Sequence, residues 1–383
     1  MPDKRHQRFT LRPVVLAIAL LLLCNRMGRA EWVQTLTAEI PRTPKIFALT
    51  VAGPHLLAGF ESGVFRSSDQ GNTWIHPRIG PSDFATVFTL ATQGSTIFAG
   101  TVDSGMYRST DYGLTWTQAG LIGEYITSIV PLEGALLAVT CCNGVFRSVD
   151  NGATWTRPIA EAVNIKVVAV NGAFLFGGST RGLYRSSDLG VSWTHVAFAS
   201  GLSDSAVGPI AVLGTSLFAG AHQSLFRSDD NGGTWTKTTL EVANLQVLTA
   251  SGRDLFAVSS PKIFRSSDRG NTWVRIDSGL AASLTYPPSI FCLAVGGGNL
   301  FAGVSQAGVW RRPLSEISTA NILTRDSGSK VNSGYRGYPG TYGFLPGMAG
   351  ILQTGSITGF HVNGRLIALP ERRLPLVGSP LRK

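Results

Sequence analysis

The chain has 383 residues, 44% of them hydrophobic and 15% charged, with a formal net charge of +10. That length and apolar share give a full-sized core and exclude a disordered polyelectrolyte. The charge sits at the two ends: residues 1–30 and 314–383 carry +5 each, while residues 31–313 hold nineteen basic and nineteen acidic residues. A neutral body excludes the electrostatic footprint of a nucleic-acid binder.

Residues 1–30 read as a secretory signal peptide. Lys4, Arg5, Arg8 and Arg12 form a basic start, Val14 to Cys24 is an unbroken apolar run, and Gly28-Arg29-Ala30 offers small residues for cleavage. The run falls short of the ~20 residues a transmembrane helix needs, so no integral span is expected after cleavage. The expected location is secreted or periplasmic. Glu31-Trp32-Val33-Gln34 then reads as a strand.

From Ser67 onward one eight-residue pattern, Ser-x-Asp-x-Gly-x-Thr-Trp, occurs six times. Its Asp residues are 69, 111, 150, 188, 230 and 268, and Ser192 replaces Thr in the fourth copy. A period near forty is that of propeller blades or helical solenoids. The flanks decide for blades: Val64-Phe65, Met106-Tyr107, Val145-Phe146, Leu183-Tyr184, Leu225-Phe226 and Ile263-Phe264 are short β-type runs beside turn residues. Within the pattern, Ser and Asp side chains can accept backbone N–H groups a few residues on, and Gly allows a positive φ. Trp then opens the next strand and buries a large ring.

These residues resemble the Asp-box (BNR) repeat family, whose members include sialidases, sortilin-type receptors, two-propeller xyloglucanases and the photosystem II assembly factors. The resemblance covers Glu31 to Pro313 and is one of scaffold. It implies that the boxes sit at blade edges, away from the working face.

Second strands number seven: Leu56–Gly59, Ile97–Gly100, Leu136–Val139, Leu175–Gly178, Leu217–Gly220, Leu255–Val258 and Leu300–Gly303. The small residues in them suggest close approach of neighbouring backbones. After Ile290–Val295 and Leu300–Val304 comes Gly308-Val309-Trp310-Arg311, but Arg312-Pro313-Leu314 replaces the box. The last unit thus lacks a fourth strand and the N-terminus has a spare one. The expected fold is an all-β, seven-bladed propeller over residues 31–314, of four-stranded antiparallel blades, closed by the mature N-terminal strand. Residues 315–383 read as a weakly ordered Gly/Pro-rich basic tail, with a hairpin possible around Asn363-Gly364.

Of four Cys residues, Cys24 leaves with the signal, Cys141 and Cys142 are adjacent, and Cys292 stands apart, so no disulfide framework is expected. The pair could close into a vicinal disulfide or remain two thiols. The six His residues show no metal spacing, and no metal or other cofactor is expected. One Arg precedes each box or its relic: Arg66, Arg108, Arg147, Arg185, Arg227, Arg265 and Arg311. Seven at one repeat position suit a scaffold role, pairing with a box carboxylate or with carbonyls; an anion-binding ring is the alternative.

Strand order puts the boxes on one face, and the strand two-to-three loops and inter-blade loops on the other. Binding belongs on the variable face. Its candidate ligand-binding residues are Glu61, Asp103, Glu124, Tyr125, Arg181, Asp204, His222 and Tyr286. No catalytic residue is assigned. A sialidase-like enzyme would need an Arg triad and a Tyr nucleophile assisted by Glu; the Arg-Ile-Pro motif of that family is missing. The sequence therefore favours a monomeric binding or assembly scaffold for protein or glycan over the alternative, a glycoside hydrolase using Asp103, Glu124 or Asp204.

Overall fold

The computed structural model describes residues 32–36, 45–80, 85–157, 164–198, 205–280 and 288–317, with the backbone of Ser356–Thr358. The signal segment, most of the tail and its expected hairpin lie outside the described residues. Seven sheets form a ring, each an antiparallel meander. The innermost strands are Ile46–Ala52, Val87–Gln93, Ile126–Leu132, Ile165–Asn171, Val207–Leu213, Val247–Ser251 and Ile290–Gly296, in blades 1 to 7. In blades 1 and 3 the fourth strand is reduced to one bridge, Arg66 to Ile75 and Arg147 to Thr156. The innermost strand of blade 1 also pairs with the tail: Ala48 faces Thr358, Leu49 faces Ile357 and Thr50 faces Ser356.

The core is distributed between blades, because each sheet is apolar on both faces and buries each against a neighbour. Leu49 and Ala58 of blade 1 pack with Cys292 and Phe301 of blade 7, while Ala48 and Leu57 pack with Val87 and Ile97 of blade 2.

Each box closes on itself through hydrogen bonds. In blade 1, Ser67 Oγ donates to Asp69 Oδ1 at 2.8 Å and accepts the Gly71 N–H at 2.7 Å. Asp69 also accepts the Thr73 N–H at 2.8 Å and the Thr73 hydroxyl at 2.7 Å. Trp74 donates its indole N–H to Gly71 O at 3.0 Å. Ser192 replaces Thr without loss, donating to Asp188 Oδ2 at 2.6 Å.

Four of the boxes also tie their blade to the preceding one. The residue after each box Asp has a positive φ (Gln70, Tyr112, Asn151, Leu189, Asn231 and Arg269), which turns its carbonyl outward. Arg311 donates to Gln70 O, Arg66 to Tyr112 O, Arg108 to Asn151 O and Arg227 to Arg269 O, at 2.8 to 3.3 Å. Carbonyls of the next blade are thus shared partners of these four guanidinium groups, and Arg227 pairs as well with the Asp229 carboxylate inside its own box at 2.8 Å. Arg265 faces blade 7, which has no box, and donates to Ile317 O just past the last strand.

Ring closure follows the sequence expectation. Val33–Leu36 pairs with Gly308–Pro313, with Val33 facing Arg311 and Gln34 facing Trp310. Trp32 is 4% exposed, packs in a core shared with Trp310 and Ile276, and donates its indole N–H to Ile276 O at 2.9 Å.

The box carboxylates give the fold a pH signature. Hydrogen bonds from the Thr73 N–H, the Thr154 hydroxyl and the Thr234 N–H lower Asp69, Asp150 and Asp230 from an ordinary 3.8 to about 2. Asp111 also reaches about 2, its hydrogen bonds from Thr115 outweighing the opposing effect of burial. With folded values below unfolded ones, the unfolded chain binds more protons between them, so this stabilisation is intact above about pH 4 and fades toward pH 2. The melting temperature is expected to fall steeply in that window, and less steeply in a variant with Asp69, Asp150 and Asp230 all changed to Asn. Thermal unfolding across pH checks this; identical slopes would refute it.

Candidate functional site at the variable face

Each inner strand starts at an inter-blade loop and ends at the turn into the second strand, on the box face. Its first residues therefore ring the channel on the variable face. There the pairing slips by one residue in blade after blade: between Ile46 and Ala48, Val87 and Thr89, Ile165 and Val167, and Ile290 and Cys292. Blade 3 slips at the same place, since Ile126 and Ser128 face the adjacent residues Thr140 and Val139. Blade 5 slips between Val207 and Ile210. Such bulges re-aim side chains and are frequent beside active sites.

The extra residues are Phe47, Phe88, Thr127, Lys166, Gly208 with Pro209, and Phe291; Gln246 holds the matching place in blade 6. Phe47, Phe88 and Phe291 meet one another across blades 7, 1 and 2, with ring centroids 5.7 Å apart for Phe47–Phe88 and 6.1 Å for Phe47–Phe291. Tyr125 sets its ring edge-on to Phe88 at 4.9 Å. The other arc is polar. Lys166 is 8% exposed and donates from Nζ to Cys141 O at 2.5 Å. Among the described residues it has no carboxylate partner. Burial lowers its pKa, with the neighbouring Cys141 acting in the opposite direction. Gln246 accepts the Ser260 N–H through Oε1 at 2.9 Å.

The six described candidates from the sequence stand on loops of this face, but they divide into separate groups. Asp103, Glu124 and Tyr125 come together beside the Cys141 loop. Asp103 O accepts the Gly123 N–H at 3.0 Å, Glu124 accepts Asn143 Nδ2 on both oxygens at 2.9 Å, and Tyr125 O accepts the Cys141 N–H at 2.9 Å. Burial, with Cys141 alongside, raises the Tyr125 hydroxyl above its ordinary pKa. Glu61 pairs with Lys45 at 3.4 Å. His222 Nε2 lies 2.8 Å from Ser205 Oγ. Arg181 is exposed and donates its backbone N–H to Ser179 Oγ at 3.2 Å. Asp204 and Tyr286 lie outside the described residues. Phe47, Phe88, Phe291, Lys166 and Gln246 escaped sequence reasoning. The usable signal was the residue that follows Ile46, Val87, Ile126, Ile165, Val207, Leu245 and Ile290, which changes type from repeat to repeat while the residue before it stays apolar.

A cavity of about 630 Å³ opens on the opposite, box face, lined by Gly53, Gly94, Gly214, Gly252 and Gly297 at the turns between first and second strands. Its lining carries no ionisable side chain. Among the described residues no cluster of three or more His, Cys, Asp or Glu side chains could hold a metal ion, and no helix is long and apolar enough to cross a membrane.

A family model described as the DUF6242 beta propeller domain matches residues 157–289. A comparison with curated proteins finds no match. Among solved structures the chain is similar to YCF48 from Cyanidioschyzon merolae, at 15% identity and a TM-score of 0.56, over 74% of this chain and 98% of that one. It is similar to YCF48 bound to D1 peptide, at 18% identity and a TM-score of 0.56, over 74% of this chain and 94% of that one. It is also similar to the GH74 xyloglucanase from Xanthomonas campestris, at 14% identity and a TM-score of 0.57, over 76% of this chain and 54% of that one. At these identities the likeness carries the architecture alone: a β-propeller shared by proteins of different activity.

Proposed function

We propose that the chain is an exported, monomeric Asp-box propeller that acts as a binding or assembly scaffold, taking a polypeptide, or else a glycan, at the channel mouth of its variable face. The carrying observation is the ring of bulge residues, which sets an aromatic arc of Phe291, Phe47, Phe88 and Tyr125 opposite a single buried ammonium, Lys166. A buried cation without a counter-charge is costly, and a ligand carboxylate offsets that cost. A carboxylate next to an apolar or aromatic side chain is the ligand chemistry this mouth fits best.

Two further features favour polypeptide over glycan. An extended segment of the chain itself, Ser356–Thr358, pairs in strand fashion with the innermost strand of blade 1, and peptides often add to sheet edges in this way. A solved propeller of similar fold, YCF48, is bound to a peptide. Hydrolysis is the less supported reading. Asn143 holds both oxygens of Glu124, and Lys45 pairs with Glu61. Among the described residues no pair of carboxylates emerges as an acid and a base.

The test is retention of the purified chain on an array of acidic peptides, run beside a glycan array and a panel of chromogenic glycosides. Peptides joining an acidic residue to an aromatic one are expected to bind. Lys166→Gln is expected to weaken them roughly tenfold, the scale of one charged hydrogen bond. Glycoside turnover abolished by Asp103→Asn or Glu124→Gln, without peptide retention, would overturn the reading.

A further inference from the structure

The loop between the second and third strands of blade 3 holds Cys141 and Cys142 side by side at the rim of this mouth. Cys142 donates its S–H to Cys141 Sγ, with the sulfurs 3.1 Å apart. Cys142 is exposed and Cys141 is half-buried. The loop is anchored at every residue around the pair. The Cys141 N–H goes to Tyr125 O, Cys141 O accepts Lys166 Nζ, the Asn143 N–H goes to Thr140 Oγ1 at 3.0 Å, and the Asn143 amide is clasped by Glu124. Adjacent thiols normally point apart along an extended chain. Here the backbone is held so that they touch, which removes much of the ordering cost of joining them. Cys292, by contrast, is fully buried between blades 7 and 1, with its S–H directed at Ile46 O.

We propose that Cys141 and Cys142 form a modification site that closes into a vicinal disulfide. The oxidant is a small soluble disulfide, of the class of oxidised glutathione. Cys142, the exposed sulfur, gives up its proton and attacks one sulfur of the oxidant, forming a mixed disulfide and expelling one thiolate. Cys141 then loses its proton and attacks Cys142 Sγ, expelling the second thiolate. Two S–H bonds are broken and one S–S bond is formed; the pair is oxidised by two electrons and the small disulfide is reduced to two thiols. Burial pushes the Cys141 thiol up to about 11, with its hydrogen bond from Cys142 adding to the effect, so the second step is the slower one. The closed ring lies against Lys166 and Tyr125, and it removes a thiol donor from the rim.

Trypsin isolates the pair, because residues 109–147 lie between consecutive Arg cleavage points and contain no other Cys. The full chain is incubated with oxidised or reduced glutathione, denatured, alkylated, digested and weighed. After oxidation the 109–147 peptide is expected to be two hydrogens lighter and unalkylated, while the Cys292 peptide is alkylated in both samples. After reduction both thiols of the pair are expected to be alkylated. In Cys142→Ser the two-hydrogen loss is expected to vanish. A stable glutathione adduct on Cys142, disulfide-linked dimers through this peptide, or full alkylation after oxidation would each overturn the proposal. These outcomes are read without any ligand, so they stand or fall apart from the peptide-binding reading.

Discussion

Trp32→Ala is expected to destabilise the ring by about 3–5 kcal/mol, the range for emptying a buried Trp site. The indole is almost wholly covered, fills the core between blades 6 and 7, and donates to Ile276 O, which also accepts Arg312 Nη1 at 2.6 Å. Removing the ring therefore opens a cavity and removes one donor from that carbonyl. The site is also the seam where the two ends of the propeller meet, so the cost falls on closure rather than on one hairpin. Urea unfolding of the variant checks the size of the loss. A second check is limited proteolysis: cleavage is expected to begin in blade 7 and not in blades 2 to 5. A variant as stable as the parent, cleaved as before, would mean that Val33–Leu36 does not hold the ring shut.

The second large effect is expected from Gly178→Leu, at about 1–3 kcal/mol or more, the cost of overpacking a tight interior. Gly178 ends the short apolar run of the second strand in blade 4. A Cβ there would stand 2.6 Å from Val207 O of blade 5 and 2.7 Å from Val167 Cγ1. The nearer neighbour is backbone and cannot rotate away, so the two blades must separate. Gly59 faces Val87 O in the same way, while Gly100 faces the side chains of Ile126 and Thr89. Blades 3 and 6 carry Val139 and Val258 at this place, which shows that the spacing is set pair by pair. Thermal unfolding of Gly178→Ala and Gly178→Leu is expected to give a graded loss; a neutral Leu variant would refute the close approach.

The wheel, its blade number and its closing strand were legible because they rest on local chemistry repeated in sequence. Ser, Asp, Gly and Thr at fixed offsets can form one turn, and six such turns set the period. Trp32 without a box before it, and Trp310 without a box after it, identified the seam. The ring of bulges was not legible. A slip of one residue in strand pairing leaves no mark on composition, so the sequence alone does not gather Phe47, Phe88, Phe291 and Lys166 into one site. The Arg before each box was recognised as scaffold, but its partner on the following blade could not be read from one repeat alone. Loop acids such as Glu61 and Asp103 drew attention by their charge, whereas the structure gathers the mouth around inner-strand residues that sequence places in the core.

The closing strand has a consequence for how the molecule is made. Val33–Leu36 is among the first described segments to leave the ribosome, yet its partner, Gly308–Pro313, is among the last. Six blades can form by pairing near neighbours, but the seventh needs both ends at once, and such distant pairing is slow. During synthesis, and during any passage through a membrane pore, that first strand travels with its hydrogen-bonding edges open, as a ready template for pairing with another chain. A holding chaperone that recognises short extended apolar segments would have its best target there, and only until blade 7 arrives.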